Sequence, residues 1–471
     1  MGAAYHLRQQ CPEKSFVVLE EQESFGGTWI THRYPGIRSD SDLYTFGYRF
    51  KPWTGAPIAT AEKILEYMGE VIAENGLDAY IRYWHRIASA TWSSREKRWA
   101  IDAVRTDTGR MTHFSANFLW MCQGYYRHSE GYTPKWRGME RFSGQIVHPQ
   151  TWPRDLDLSR KKVVVIGSGA TAATLIPSIA ADCAHVTMLQ RSPTYYVTGR
   201  NANELADLLR GLEIPEEWIH EIVRRKILKD QATITRRSFE EPEVLKQELL
   251  AAVRAYLGPD YDVAKHFTPR YRPWRQRIAF IPDGDLFKCI RDGKASVVTD
   301  EIESFSEGGI VLKSGEVLAA DVIVTATGFN LNVLGDIAFT IDGKPLAFSD
   351  RISYRGMMFC GVPNMAWVFG YFRASWTLRA DLIADFVCRL FKHMQERNAT
   401  TVTPALRAED KGMSLYPWVD PENFNPGYLM RGVDLLPKQG DREPWRHKQD
   451  YWIEKDELPA AGLDDGALLY E

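Results

Sequence analysis

A buried strand that turns through a glycine loop directly into a helix constrains the fold of this chain more than any other feature. Lys162–Ile166 reads KVVVI, and GSGATA follows it at Gly167–Ala172. The glycines allow a tight turn and let a pyrophosphate approach the backbone, while the N-terminus of the following helix favours negative charge. This spacing predicts an α/β fold with a Rossmann-like dinucleotide-binding unit. The candidate phosphate-binding residues are Gly167, Ser168, Gly169, Ala170, Thr171 and Ala172.

The residue that follows the next strand indicates which nicotinamide cofactor this unit binds. Val186–Gln190 is followed by Arg191, at the place where an NAD-binding unit needs a carboxylate for the ribose 2′-hydroxyl. A carboxylate would repel a 2′-phosphate, whereas a guanidinium binds one through two parallel hydrogen bonds. Arg191 therefore predicts NADPH rather than NADH. The alternative is an arginine on a solvated loop.

The start of the chain contains part of a second unit of the same kind. MGAAYHLRQQ has apolar residues at helical spacing with no capping residue before them, and the predicted strand Ser15–Glu20 follows. Glu20 at the strand end suits the free 2′-hydroxyl of an adenosine ribose, as in FAD. Because helix, strand and acid normally follow a glycine loop, we expect the first strand and glycine loop of this unit to be absent from the chain. Two units predict two nucleotide cofactors.

The remaining segments indicate a helical insertion between strand-rich parts. Residues 202–257 carry apolar residues at helical spacing, and strands return at Ala295–Thr299, Ile310–Leu312 and Asp321–Thr325. Arg379–Met394 is predicted to be one long helix, and the Pro-rich final forty residues are expected to be irregular. The expected divisions are an FAD-binding domain at 1–147 and 331–471, an NADPH-binding domain at 154–201 and 276–330, and a helical insert at 202–275.

Composition and charge argue against several classes of partner. A net charge of −3 over 471 residues does not suggest nucleic acid or an anionic membrane surface. The six scattered cysteines form no C-x-x-C pair, which argues against a zinc site and a dithiol reductase and fits a reduced, cytoplasmic setting. No apolar run approaches the ~20 residues that span a bilayer, so we expect no transmembrane segment. Peripheral membrane contact and the oligomeric state stay open.

Two longer motifs resemble the signatures of one enzyme family. FSGQIVHPQTWP at Phe142–Pro153 has the pattern F-x-G-x-x-x-H-x-x-x-W-P, and GGTWITHRYPGIRSD at Gly26–Asp40 has the pattern G-G-x-W-x-x-x-x-Y-P-G-x-x-x-D. The chain therefore resembles the Baeyer–Villiger branch of the class B flavin monooxygenases, and most of all its bacterial ethionamide-activating members, from residue 1 to about residue 455. The resemblance implies FAD and NADPH as cofactors. It implies insertion of one oxygen atom of O2 into apolar ketones to give esters, and oxygenation of sulfur compounds such as thioamides.

The resemblance also assigns an active-site arginine, Arg277 in RPWRQRIAFIP, with Asp40 as the acid that orients it. A fixed cation beside the flavin would stabilise negative charge on oxygen, and arginine keeps its charge at any working pH. Many relatives carry lysine before this arginine, whereas Gln276 here leaves one cation fewer for the NADPH phosphate. The alternative is a surface arginine in an arginine-rich segment. Its neighbours are Arg270, Arg272 and Arg275.

Other residues carried over from the family divide between the two cofactors. The FAD contacts would be Gly27, Thr28, Trp29 and the backbone of Ile87, beside Glu20 and Asp40. The NADP contacts would be Arg38, Ser39, Ala173, Arg191 and Ser192, together with the glycine loop. His148 could be a general base by residue type alone, but in the family it lies in the linker between the nucleotide domains and serves domain movement.

Two alternatives stand beside the Baeyer–Villiger interpretation. The first is an NADPH-binding paralogue without flavin or oxygenase activity, which would follow if the missing glycine loop prevented FAD binding. The second is an oxygenase of nitrogen or sulfur only, which Trp152 and Pro153 disfavour because they mark the Baeyer–Villiger branch.

Overall fold

The computed structural model describes residues 1–471. The α-helices are α1 (Gly2–Gln10), α2 (Thr28–Thr31), α3 (Leu43–Phe46), α4 (Ala61–Glu74), α5 (Ala170–Ile179), α6 (Glu204–Gly211), α7 (Glu216–Glu240), α8 (Pro242–Leu257), α9 (Val263–Phe267), α10 (Asp285–Arg291), α11 (Trp376–Glu396), α12 (Gly427–Met430) and α13 (Tyr451–Ala460).

The β-strands form two five-stranded sheets, one of them entirely parallel, together with one three-stranded sheet and seven pairs. They are β1 (Val18–Leu19), β2 (Ile81–Arg82), β3 (His85–Ser93), β4 (Arg98–Arg105), β5 (Met111–Ala116), β6 (Leu119–Met121), β7 (Tyr126–Gly131), β8 (Gln145–Val147), β9 (Lys162–Ile166), β10 (His185–Gln190), β11 (Tyr196–Gly199), β12 (Ala279–Pro282), β13 (Ala295–Thr299), β14 (Ile302–Ser306), β15 (Gly309–Leu312), β16 (Val317–Ala319), β17 (Val322–Thr325), β18 (Phe329–Leu331), β19 (Ala338–Ile341), β20 (Lys344–Pro345), β21 (Ser353–Tyr354), β22 (Met358–Phe359), β23 (Met365–Trp367), β24 (Val402–Pro404), β25 (Tyr416–Pro417), β26 (Lys438–Gln439) and β27 (Leu468–Tyr470).

The predicted NADPH-binding unit is a five-stranded parallel sheet in the order β13–β10–β9–β17–β8. In the central strand, Val163 lies opposite Val186 on one side and Val322 on the other. Four consecutive residues of β9 are buried, as expected for a parallel strand covered on both faces. Because β9 runs straight into α5, the glycine loop lies at the carboxyl edge of this sheet, where ligands of such folds bind.

The strands near the chain start form two separate parallel pairs. β1 pairs with β2, β6 pairs with β23, and no strand of residues 1–471 joins the two pairs into one sheet. β1 is shorter than the predicted strand Ser15–Glu20, because a strand extends only as far as its ladder and β1 has a neighbour on one side alone. α1 lies against α11, where Gln10 Nε2 donates to Asp385 Oδ1 at 2.6 Å.

Helices α6 to α9 form an insert between two paired strands. β11 and β12 pair in parallel, and the four helices lie between them in the chain. Arg224 of α7 is buried and donates to the carbonyl oxygens of Tyr44 and Gly47 at 2.9 and 3.1 Å, at the end of α3. These bonds fix the insert to the segment that follows Asp40. The predicted domain boundaries themselves stay a prediction.

The final forty residues contain a helix, so the expectation of an irregular tail is wrong. α13 begins after Asp450, whose side chain accepts a hydrogen bond from the backbone N–H of Trp452 at 2.8 Å. Glu454 is buried against α11, where Arg379 Nε donates to its Oε2 at 2.8 Å. Helices in proteins are stabilised mainly by tertiary packing, and docking on α11 supplies it here despite the local proline content.

Candidate active site

The glycine loop between β9 and α5 forms an open cradle. Gly167 has a φ of +126°, and a Cβ there would lie 2.3 Å from the carbonyl oxygen of Ala326, so only glycine fits. Gly169 precedes α5 without a side-chain cap, and a Cβ at Gly169 would meet nothing within 4 Å. The first backbone N–H groups of α5 thus have no side-chain cap and the loop beside them is open, so they and the helix dipole favour a phosphate there.

The other predicted loop residues divide into an accessible and a buried group. Ala170 and Thr171 are half-buried in the first turn of α5, within reach of a ligand in the cradle. Ala172 and Ala173 are 0% and 1% exposed, and they pack α5 onto the sheet. The small size of these two alanines lets the helix approach the strands, and their part in NADP binding stays a prediction. Ser168 is buried as well.

Arg191 and Ser192 lie exposed directly after β10. A second cation, to which no sequence motif points, lies near them: the Arg431 guanidinium stacks on the Tyr132 ring, 3.5 Å from its centroid. Burial and the charge of Arg191 lower the pKa of Arg431. Two cations that repel each other favour a ligand with more than one negative charge, as a phosphate monoester has near neutral pH.

Arg38 and Ser39 make their hydrogen bonds within the protein. Arg38 donates twice to the carboxylate of Asp285 in α10, with N–O distances of 2.6 and 3.3 Å. The hydroxyl of Ser39, a buried residue, donates to the carbonyl of Ser41 at 2.8 Å and accepts from its N–H at 3.0 Å. These contacts position the segment around Asp40. Binding of NADP by Arg38 and Ser39 stays a prediction.

The predicted FAD residues lie at the carboxyl end of β1 and in the turn that follows. Glu20 comes directly after β1, and burial raises the pKa of its carboxyl group. Gly27 has a φ of +51°, and a Cβ there would meet nothing within 4 Å. Thr28 and Trp29 begin α2, and the Trp29 ring meets Phe46 edge to face with centroids 5.8 Å apart. The space beside Gly27 is open to a flat ligand.

Ile87 lies in β3, part of the sheet β20–β19–β3–β4–β5. The pairing of β3 with β4 shifts register between Ile87 and Ser89. Such a bulge disrupts the ladder locally and leaves a residue unpaired. The irregular backbone fits the expected contact of the Ile87 backbone with FAD, which stays a prediction.

An ion pair joins the two residues predicted to be catalytic. Arg277 Nη2 donates to Asp40 Oδ2 at 2.8 Å. The charge of Asp40 raises the pKa of Arg277, although burial opposes it, so the guanidinium is cationic at every working pH. The Arg277 side chain keeps 34% of its surface accessible. Its Nε and Nη1 have no partner in the protein and are free to donate to a ligand.

Aromatic side chains that no motif indicated lie beside this ion pair. The hydroxyls of Tyr125 and Tyr126 are 2.7 Å apart, and Tyr125 stacks on Trp376 with centroids 4.6 Å apart. Burial raises the pKa of both tyrosines, and the charge of Arg277 acts in the opposite direction on both, which locates the guanidinium near them. Arg277 is therefore partly accessible and lies near these tyrosines, and we refer to the accessible space in front of its guanidinium as the cleft. The sequence does contain a signal that could have indicated these two tyrosines. They lie in the segment QGYY, which follows β6, and ligands bind beyond the carboxyl ends of parallel strands.

His148 connects the linker before β9 to the loop after β17. Its Nδ1 accepts from the backbone N–H of Gln150 at 3.1 Å, so Nε2 holds the proton and donates to the carbonyl of Gly328 at 3.1 Å. Burial lowers the pKa of His148, which keeps the ring neutral. Both partners are backbone groups, which supports a structural role over general-base catalysis. Its part in domain movement stays a prediction.

Comparison with known proteins assigns a family to this arrangement. Residues 57–205 match the model of the flavin-binding monooxygenase-like family. The FAD-containing monooxygenase EthA of Mycobacterium tuberculosis H37Rv is 45% identical over 475 residues, across 100% of this chain and 95% of its own length. This chain belongs to the flavin-binding monooxygenases. A second relative in that family, the probable FAD-binding monooxygenase AlmA of an Acinetobacter species, is 43% identical over 476 residues, across 100% of this chain and 94% of its own length.

Solved structures share the fold of this flavin-binding monooxygenase. An oxidized steroid monooxygenase bound to NADP aligns with a TM-score of 0.75 at 23% identity, covering 99% of this chain and 96% of that one. Cyclohexanone monooxygenase from Rhodococcus sp. Phi1, bound to NADP+, aligns with a TM-score of 0.75 at 18% identity, covering 100% of this chain and 97% of that one. The predicted α/β fold class and the predicted class of enzyme, a flavin-dependent monooxygenase, are confirmed. None of the helices of this protein combines the length and apolar character needed to cross a bilayer.

Proposed function

We propose that this flavin-binding monooxygenase uses FAD and NADPH to insert one oxygen atom of O2 into apolar ketones, giving esters, and that it also oxygenates sulfur compounds such as thioamides. The observation that carries the proposal is the Arg277–Asp40 ion pair, which holds a permanent cation in place while leaving 34% of the Arg277 side chain accessible to a ligand. Further support comes from the solved steroid and cyclohexanone monooxygenases, whose fold this chain shares.

The residues around the cleft fit both cofactors. Gly169 and the N-terminus of α5 offer backbone donors to the phosphates of NADPH, and Arg191 offers a guanidinium to the 2′-phosphate. Glu20 would accept hydrogen bonds from the adenosine ribose of FAD, while Gly27 and Trp29 would border its flat ring. Bound there, FAD would supply the electron transfer from NADPH to O2 that amino-acid side chains cannot provide.

Arg277 would stabilise negative charge on oxygen within the cleft. A cation about 4 Å from an oxygen anion contributes ~4 kcal/mol at an effective dielectric constant near 20, which corresponds to about 10³ in rate. Asp40 occupies only one guanidinium nitrogen, so the others are already oriented before the charge develops.

The test measures the flavin absorbance of the protein, the products it forms and the ratio of NADPH to O2 consumed. The purified chain should show the visible absorbance of oxidised flavin. It should consume NADPH and O2 in equal amounts with acetophenone and release phenyl acetate, and it should convert a thioether to its sulfoxide. NADPH oxidation that yields only hydrogen peroxide with every ketone and sulfur compound tried would contradict the proposal.

Two outcomes would favour the alternatives instead. A colourless protein that still binds NADPH would indicate a nucleotide-binding paralogue without oxygenase activity, the interpretation favoured by the two unjoined strand pairs β1–β2 and β6–β23. Sulfoxide formation without any ester would indicate an oxygenase of heteroatoms only. Reconstitution with added FAD distinguishes weak flavin binding from none.

A further inference from the structure

Two arginines that contact the segment before Arg277 share one aromatic ring and one carbonyl oxygen. The guanidinium carbons of Arg272 and Arg373 lie 3.9 and 5.5 Å from the centroid of the Phe239 ring. Each residue also donates from Nη2 to the carbonyl oxygen of Asn423, at 2.9 and 2.8 Å respectively. The two cations are therefore held side by side.

Neither cation of this pair has a carboxylate partner. Arg272 and Arg373 donate only to carbonyl and amide oxygens. Burial and the charge of Arg272 lower the pKa of Arg373 to about 10. By contrast, Arg275 and Arg277 in the same segment pair with acids at 3.0 and 2.8 Å. Partly buried charges are normally paired, so two uncompensated guanidiniums in contact require a physical reason.

Both guanidiniums retain donors that point away from their protein partners. Arg272 Nε and Arg373 Nη1 make no hydrogen bond, and neither atom is among the buried polar atoms without a partner, so both reach solvent. A carboxylate or phosphate accepts several hydrogen bonds from guanidinium groups, so two neighbouring guanidiniums with free donors offer it both charge and hydrogen bonds.

The pair lies close to the proposed reaction centre. Arg373 belongs to the loop between β23 and α11, at the carboxyl end of a parallel strand. Its Nε and Nη2 both donate to the carbonyl oxygen of Trp274, at 3.2 and 3.1 Å. Trp274 precedes Arg277 by three residues, a span of at most ~11 Å of backbone. Trp274 also has a φ of +61°, a conformation that these hydrogen bonds help to hold.

We propose that Arg272 and Arg373 form a binding site for an anionic oxygen group, which orients a substrate that carries a ketone or sulfur group at one end and a carboxylate at the other. The proposal rests on the proposed function for the identity of the reacting group. A phosphate of NADPH has the same chemistry and is the other source of such a group. The glycine loop and Arg191 already offer donors to those phosphates, so we expect the carboxylate.

The test compares a ketone acid with its neutral ester. The two substrates are 10-oxoundecanoate, which has a methyl ketone at one end and a carboxylate at the other, and the methyl ester of this acid. In Arg272→Gln and Arg373→Gln, the ratio of kcat/KM for the acid to that for the ester should fall about 10-fold or more, the size expected for a hydrogen bond to a charged group. Arg270→Gln, an exposed arginine of the same segment, is the matched control and should leave this ratio unchanged.

The outcomes separate the two sources of the anion. A rise in KM for NADPH, with equal losses for acid and ester, would assign the site to a cofactor phosphate and overturn the carboxylate. Equal losses for acid and ester with an unchanged KM for NADPH would show that the pair only holds Trp274 and Asn423. The ratio is informative even if Arg373→Gln displaces Arg277, because that displacement affects both substrates.

Two further measurements extend the test: the first needs only the wild-type protein, and the second needs no turnover. On the wild-type protein, added sulfate should inhibit turnover of the acid more than that of the ester. Undecanoate should bind more tightly than undecanol by calorimetry, and Arg272→Gln should abolish the difference. If the wild type oxygenates neither substrate but shows this selective binding, the proposed function fails while the anion site stands. Equal binding of undecanoate and undecanol would overturn the anion site.

Discussion

Arg277 and Asp40 are 237 positions apart in the chain, yet Arg277 Nη2 lies 2.8 Å from Asp40 Oδ2. The pair joins the residues before β12 to the segment before α3, so it depends on the tertiary fold and not on local sequence. Both side chains remain partly accessible, at 34% and 24%. The acid thus fixes the cation without removing it from the cleft.

Replacing Arg277 should abolish oxygen insertion and leave flavin binding intact. In Arg277→Met, ester formation should fall by about 10² to 10³, because the cleft loses its fixed cation. Product analysis by gas chromatography and the flavin absorbance of the same sample provide the measurement. Arg270→Met is the matched control, since Arg270 is exposed in the same segment. Undiminished ester formation in Arg277→Met would exclude the proposed role.

Asp40→Asn tests the positioning of that cation. The asparagine keeps a hydrogen-bond acceptor but removes the negative charge, so we expect a smaller loss of about 10-fold in kcat. The activity should recover in part in Asp40→Glu, which restores the charge. A loss in Asp40→Asn as large as that in Arg277→Met would mean that the acid itself contacts the reacting groups.

Two glycine substitutions in one loop should have different effects. Gly167→Ala places a Cβ 2.3 Å from the Ala326 carbonyl at a φ of +126°, so it should lower the melting temperature as well as NADPH binding. Gly169→Ala meets nothing within 4 Å and should fold normally, while its methyl group enters the cradle and raises KM for NADPH. Thermal unfolding and steady-state kinetics measure the two effects. Normal NADPH binding in Gly169→Ala would place the phosphates elsewhere.

Arg191 should decide the preference for NADPH over NADH. In Arg191→Ala, the ratio of kcat/KM for NADPH to that for NADH should fall about 10- to 100-fold, since only NADPH carries the 2′-phosphate. Arg431→Ala should shift the ratio in the same direction by less, because Arg431 acts beside Arg191. Arg200→Ala, with an exposed side chain, is the control. Parallel losses with both nucleotides would contradict this assignment.

His6 should couple the stability of the chain to pH. Burial opposes its protonation, but hydrogen bonds to Asp381 and Asp385 raise the pKa of His6 to about 9. An unfolded histidine titrates near 6.5. Its stabilising contribution is therefore complete below about pH 6.5 and is lost as the pH rises towards about 9.

His6→Gln measures this linkage by urea denaturation. The substitution should lower the free energy of unfolding at about pH 6 by up to about 3 kcal/mol more than at about pH 9.5. His113→Gln is the control, because 74% of the His113 side chain is exposed. Equal losses at the two pH values would show that His6 is neutral in the folded protein.

Local sequence signals predicted the NADPH-binding unit closely. Lys162–Ile166 is a strand as predicted, and the glycine loop and the helix follow it directly. These elements could be predicted because an apolar run and a glycine motif are local patterns of neighbouring residues. The pairing of Arg277 with Asp40 was expected from the family resemblance alone. Nothing in the local sequence of either residue specifies a partner so distant in the chain.

Long-range packing decided the features that sequence patterns could not predict. Arg38 carries no local sign that Asp285 will hold it, and Tyr125 reads as an ordinary core aromatic until Trp376 is brought against it. The helix α13 forms because Glu454 meets buried Arg379. In each case the deciding neighbour lies far away in the chain, where periodicity and spacing contain no information.

The hydrogen bonds of Arg224 have a consequence for how new specificities can arise. They tie α7 to the end of α3, a few residues beyond Asp40. A substitution that tilts α7 is therefore expected to move the segment that follows Asp40, the acid that holds Arg277. A redesign of the insert is therefore expected to need compensating changes around Tyr44 and Gly47 if the Arg277–Asp40 pair is to be kept.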